Sequence, residues 1–166
     1  MGKKSVRENK TIYQISREGC GLTREKAAEK MEYVSADRIE KIEYEKSDPH
    51  PDEVLAMSKA YNNPSLCNHY CSHDCPIGQQ EVPAIELKSL AQIVLTMLAS
   101  FNEMEKERNR LIEITADEKI TEEERKDFEK IQAQLSELSM AIESMKLWVK
   151  HALVNGEYAL DINSTD

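Results

Sequence analysis

Three of the four cysteines in this chain fall within one short stretch, CNHYCSHDCPIG, as Cys67, Cys71 and Cys75. On a continuous helix turning ~100° per residue, each of them lies ~40° from the last, so the three thiols share a stripe. His69 and His73, offset by two residues, point to the opposite side, and Pro76 encourages the helix to end just after the last cysteine. Three chemistries suit such a stripe. Three thiolates with a fourth ligand, drawn from Cys20, His73 or an exogenous group, could hold zinc or an iron–sulfur cluster, although the spacing matches no standard zinc or ferredoxin pattern. Two of the thiols could form a transient disulfide, since a cytosolic protein seldom keeps a permanent one. Small apolar thiols could also simply pack the helix against its neighbours. Cys20, between Gly19 and Gly21, reads as a tolerated loop residue.

Other reactive patterns are missing from the sequence. It has no Gly-rich phosphate loop, no nucleophile elbow and no HExxH, and the acidic run at 122–129 reads as the solvated face of a helix. The expectation is a protein that is not an enzyme.

The elements that carry the cysteines follow from composition and punctuation. Across 166 residues, 32% are charged, 40% hydrophobic and only 5% aromatic, with five glycines and five prolines, which favours an all-α fold and is too apolar for full disorder. All five prolines fall between Pro49 and Pro83, and residues 84–154 contain neither Pro nor Gly. Short helices are therefore expected first and long ones after. Basic and acidic residues balance over residues 1–60, with a basic surplus in the first 30, so the net charge of −9 comes from the remainder. Nucleic acid, if bound, would be met near the basic end, because an acidic remainder repels phosphate. The opening MGKKSVRENK has no apolar core of a signal peptide, and Val6 breaks the myristoylation pattern. The longest apolar run, residues 90–101, falls short of the ~18–20 residues of a membrane span. A cytoplasmic protein with no membrane partner is expected.

Five short helices are predicted before residue 67. Ser5 and Glu8 form a capping box for the first, which carries Ile12 and Ile15 on one face and ends at Gly19 and Gly21. Thr23 caps a second with Ala27, Ala28 and Met31 inward, followed by a turn at Glu32, Tyr33 and Val34. Ser35 caps a third with Ile39 and Ile42 inward, Pro51 starts a fourth with Val54, Leu55 and Ala60, and Asn63-Pro64 starts a fifth. The second and third have the spacing of a helix-turn-helix.

The stretch GLTREKAAEKMEYVSADRIEKIE, followed by a loop and PDEVLAMSKAY, resembles the lambda-repressor-like helix-turn-helix domain of the xenobiotic-response-element (XRE) family of bacterial and phage regulators. The resemblance spans residues 5–66 and is most specific at Gly21-Leu22-Thr23, Ala27, Val34-Ser35 and Ile39, Ile42 and Glu43. It implies a five-helix DNA-binding domain, usually dimeric, with the helix after Ser35 in the major groove of double-stranded DNA. Arg24 takes the place of a phosphate-contacting Gln common in the family. Ser35, Ala36, Asp37, Arg38 and Lys41 take the groove-facing stretch, with Arg38 suited to a guanine edge and Lys41 to phosphate. Asp37 and Glu40 put negative charge on or beside that surface, which leaves open a non-DNA-binding adaptor that keeps the fold for protein interaction.

Beyond a cysteine-bearing connector at 67–83, residues 84–166 predict a long antiparallel helical hairpin with a loose tail. One 3,4-spaced series runs Leu90, Val94, Met97, Phe101, Met104 and Leu111, and another runs Phe128, Ile131, Leu135, Leu138, Ile142, Met145 and Val149. Thr121 and Glu124 make a capping box between them, and Asn155-Gly156 ends the second helix. Ile93, Leu95, Leu98, Leu147 and Trp148 fall outside this seam and ask for another partner. A homodimer through a coiled-coil-like four-helix bundle would supply it and set two reading heads side by side, or the same residues would pack back on the first domain within a monomer. The expected function is a sequence-specific DNA-binding transcriptional regulator, modulated by metal or thiol redox state.

Overall fold

A computed structural model describes residues 9–117 and 119–157. Among the described residues every regular element is helical: α1 (Ile12–Gly19), α2 (Arg24–Met31), α3 (Ala36–Glu43), α4 (Pro51–Ala60), α5 (Ser65–His69), a π turn (Tyr70–Asp74), α6 (Gly78–Glu81), α7 (Leu90–Thr115) and α8 (Arg125–Val154). None of these helices is long and apolar enough to cross a membrane. The chain divides into two units, one running to Ile85 and resuming at Val149, the other Glu86–Trp148. The division at 85–86 lies close to the connector's expected end, but the last turns of α8 group with the short helices.

Polar caps set the short helices. The Thr11, Thr23 and Ser35 side chains accept from the amides of Gln14, Lys26 and Arg38, and Pro51 opens α4. The expected box at Ser5 and Glu8 lies outside the described residues, and the described helix starts at Ile12. After α1, the Gly21 amide donates to the Glu18 carbonyl and the Leu22 amide to the Arg17 carbonyl. This reversal puts Gly21 at φ +67°, a conformation that glycine adopts without steric penalty.

The core joins Tyr13, Ala27, Met31, Val34, Ile39, Ile42, Val54, Met57, Tyr61 and Leu66. α2 packs on α3 and α4, α1 on α3, and α4 on α5. Two expected inward residues are instead exposed, Ile15 at 56% and Leu55 at 54%. The inward face of α1 carries Tyr13, Gln14 and Arg17, which donate to Asp74, Glu18 and Glu43, and α4 turns Val54, Met57 and Ala60 inward.

In the second unit, Arg110 pairs with Asp127 at 2.7 Å and Lys130 with Glu107 at 2.5 Å. The partners step up one helix as they step down the other, so α7 and α8 run antiparallel there. The Thr121–Glu124 box forms, with both the Thr121 amide and hydroxyl donating to the Glu124 carboxylate. Ile93, Ser100 and Ile114 on α7 and Ile131, Ala141 and Leu147 on α8 are buried. This corrects the expected seam. With Met97, Met104, Glu107 and Leu111 between them, Ile93, Ser100 and Ile114 complete a 3,4 stripe one step round the helix from the expected one. Leu90, Val94, Phe101, Leu135 and Ile142 of the expected series remain exposed. Small Ser100 and Ala141 lie in the buried stripe, whereas bulkier residues beside it stay outside. At the end of α8, belonging to the first unit, Gly156 at φ +70° closes the helix as expected, with the Glu157 amide donating to the Ala152 carbonyl.

Candidate functional site

Between α2 and α3 the chain turns through Glu32 at φ +62°, Tyr33 and the buried Val34. Ala27, fully buried, lets α3 approach α2 closely, and the Tyr33 hydroxyl donates to the Asp52 carbonyl at 2.7 Å. On α3, the Ser35 and Asp37 side chains are exposed and Ala36 is half-buried. Lys41 is also exposed and pairs with Asp37 at 2.7 Å.

The two arginines of the expected interface are engaged. Arg38 donates from Nε and Nη2 to the two Glu53 carboxylate oxygens, each at 2.7 Å, and to Ser47 Oγ and the Asp48 carbonyl. Burial alone would raise the Glu53 carboxyl, but Arg38 and the His50 amide outweigh it and hold that group below its ordinary range. Arg24 donates to Glu43 at 2.8 Å and to Glu40 at 2.9 Å and lies over the Tyr44 ring. The Glu40 charge expected to oppose DNA is therefore tied to Arg24. Beneath both, fully buried Glu43 accepts from Arg17 Nε at 2.5 Å and Nη2 at 2.9 Å, while Arg17 Nη1 caps the Leu22 carbonyl. Sequence reasoning missed this pair, although Arg17 lies one turn after Tyr13 and Glu43 one turn after Ile39, on inward faces.

The cysteines lie across two kinds of helix. Cys67 is in α5, Cys71 in the π turn, and Cys75 just past it in extended conformation before Pro76. The Cys75 amide donates to the Tyr70 carbonyl at 2.9 Å, an i→i+5 bond. Gly78 folds back so tightly that a Cβ there would stand 2.0 Å from the Cys71 carbonyl oxygen, and its amide donates to Cys75 Sγ at 3.5 Å. All three thiols are free and half-buried. Burial pushes the Cys71 thiol up, with further contributions from Cys75 and Cys67. His69 and His73 stack at 4.3 Å, and Tyr13 meets His69 edge-on while donating its hydroxyl to Asp74 at 2.6 Å. The turn is thus pinned to α1. Asn68 pins the connector by accepting from the Ile85 amide and donating to the Pro83 carbonyl. Cys20 is engaged elsewhere, its thiol donating to the Tyr61 carbonyl. Among the described residues no three Cys, His, Asp or Glu side chains gather so as to hold a metal ion.

No family model, no curated protein and no solved structure matches the chain.

Proposed function

We propose that the chain is a sequence-specific DNA-binding transcriptional regulator of bacterial or phage type, with an XRE-like reading head at 1–66, a cysteine-bearing connector at 67–83 and a dimerising hairpin at 84–166. The observation that carries this reading is the pair α2 and α3, capped by Thr23 and Ser35 and joined by a short turn over Ala27 and Val34. α3 enters the major groove with Ser35, Asp37 and Lys41 outermost, and Arg38 reaches a base only by leaving Glu53. Three connector thiols give the protein a place to sense metal or thiol redox state.

The dimer part rests on the outer stripe of α7 and α8. In the register set by their ion pairs, Phe101 lies level with Leu135 and Val94 with Ile142, so exposed apolar residues of both helices share a face. The buried stripe contains Ser100, Glu107 and Gln134, so the more apolar of the two stripes is the one left open. A second copy covers it in a four-helix bundle and supplies the two-fold arrangement that paired half-sites require.

One observation favours a second reading, a helical adaptor without DNA binding: Arg24, Arg38 and Lys41 all spend their charge on carboxylates of the head. Tyr33 and Leu55, both exposed, flank an open groove with Lys30, Asp52 and Lys59 that would take a protein segment. Selection from a randomised duplex library, followed by titration at several salt concentrations, separates the two. A regulator touching about six phosphates enriches one sequence and loses on the order of 10³ in affinity between 50 and 200 mM salt. No enrichment with a flat salt profile leaves the adaptor.

A further inference from the structure

We propose that Cys71 and Cys75 are a reversible dithiol–disulfide pair that reacts with low-molecular-weight disulfides, and that closing the bridge draws Asp74 away from Tyr13. The inference sharpens the thiol arm of the proposed function and rests on the reading of the connector as a regulated joint, not on DNA binding.

The geometry singles out this pair. Cys71 and Cys75 are four residues apart, an interval that in an α-helix separates Cα atoms by ~6 Å, within the ~4.4–6.8 Å that a disulfide spans. In α5 the cysteine is held at its helical azimuth, whereas the i→i+5 bond from Cys75 to Tyr70 widens the turn that contains Cys71. Cys75 leaves that turn at φ −88°, ψ 119°, so its Cβ is free of the helical direction. Gly78 touches both partners, pressing on the Cys71 carbonyl and donating to the Cys75 sulfur. One residue therefore brackets the two cysteines, and only a glycine fits there. Cys20 is bonded to the Tyr61 carbonyl and takes no part.

The chemistry is thiol–disulfide exchange with glutathione disulfide or a similar reagent. The Cys75 thiolate attacks one sulfur of the reagent, forming a mixed disulfide and releasing one thiolate. The Cys71 thiolate then attacks the Cys75 sulfur, closing the bridge and releasing the second. The two protons given up by the cysteines end on the two released thiols, so two cysteines are oxidised and one small disulfide is reduced. Asp74 directly precedes Cys75 and holds the Tyr13 hydroxyl at 2.6 Å. Pulling Cys75 toward Cys71 moves that carboxylate and loosens the hold of the turn on α1.

The test uses the full chain, reduced without air, incubated with glutathione disulfide, then alkylated and mapped by peptide mass spectrometry with amide exchange in parallel. Cys71 and Cys75 should leave the alkylatable pool together in one bridged peptide, with Cys20 and Cys67 still alkylated, and excess glutathione should restore all four. Exchange over residues 12–19 should quicken several-fold, and Cys71→Ser should stop at a glutathione adduct on Cys75. A bridge to Cys67, adducts that never close, or full alkylation after a large excess of glutathione disulfide overturns the pair. Zinc retained by the reduced protein, with all three connector thiols blocked, overturns it in favour of a metal site, and unchanged exchange in α1 overturns the link to Tyr13. No readout involves DNA, so failure of duplex binding and failure of the pair are told apart.

Discussion

In the unit of short helices Glu43 sits fully buried between Arg17 and Arg24, whereas on α7 and α8 Phe101 and Leu135 stand about half exposed. The first region takes charge inside and fixes it with bidentate geometry. The second leaves Phe101 and Leu135 outside and buries Ser100 and Ala141 along with Ile93, Ile114 and Ile131. A buried ion pair rarely adds net stability over apolar packing, but losing one partner is costly, so it holds α1, α2 and α3 in one arrangement. An open apolar stripe does the reverse, since its residues contribute little until something covers it. The short helices thus fix charge inside their core, and the long pair leaves an apolar stripe open.

The sharpest way to break this contrast is Glu43→Ala, which strands the buried Arg17 guanidinium. A loss of about 3–5 kcal/mol is expected, followed in chemical denaturation, with the signal of Tyr13 and Tyr61 lost well before that of α7 and α8. If the variant unfolds like the parent, the pair does not organise this unit.

A second comparison lies within α7. Ile114→Ala removes a fully buried side chain and should cost about 2–5 kcal/mol, whereas Phe101→Ala should leave the chain's fold nearly untouched and shift sedimentation toward the monomer. Equal stability losses from both changes, with no shift in mass, would make the outer stripe part of the chain's own core.

The smallest effect is with pH. Burial lowers the His69 pKa, with a further contribution from His73, and burial lowers that of His151, which bonds Ser65 at 2.7 Å. Their folded values lie below the unfolded one, so the unfolded chain binds protons first, and stability should fall as pH drops below ~6.5. Glu53, held down by Arg38, adds stability that is present above the unfolded carboxylate value of ~4.3 and lost as pH falls through its lower folded value. Melting temperatures across pH 2–8 should decline on the acid side in the first unit. A flat profile would remove these groups from its stability.

Much of the short-helix unit was legible because its signals are local. Thr23, Ser35 and Pro51 announce helix starts within a few residues, and Ala27, Met31, Ile39 and Ile42 follow helical period. What escaped depends on distant partners. Arg38 reads as a free fork until Glu53, fifteen residues on, is brought against it, and Arg17 reads as a surface residue until Glu43 arrives. In the long helices the most apolar 3,4 series looked like the seam, and Ile93 and Leu147, set outside it, are buried. Which stripe is buried depends on the rotation of each helix against its partner, which ion pairs such as Arg110–Asp127 and Lys130–Glu107 help to fix and periodicity does not show. The cysteines were visible as a cluster, but the i→i+5 turn and the glycine crossing over Cys71 are tertiary facts.

Met97, Met104 and Leu111 border both stripes of α7, the buried and the open. Pliant side chains in that position would repack against a copy seated on the outer face. In the homodimer proposed above, folding and assembly of the long helices would be a single mass-action equilibrium, in which the midpoint of unfolding climbs with protein concentration. For a protein made in small amounts, abundance itself would set how firmly these helices are formed.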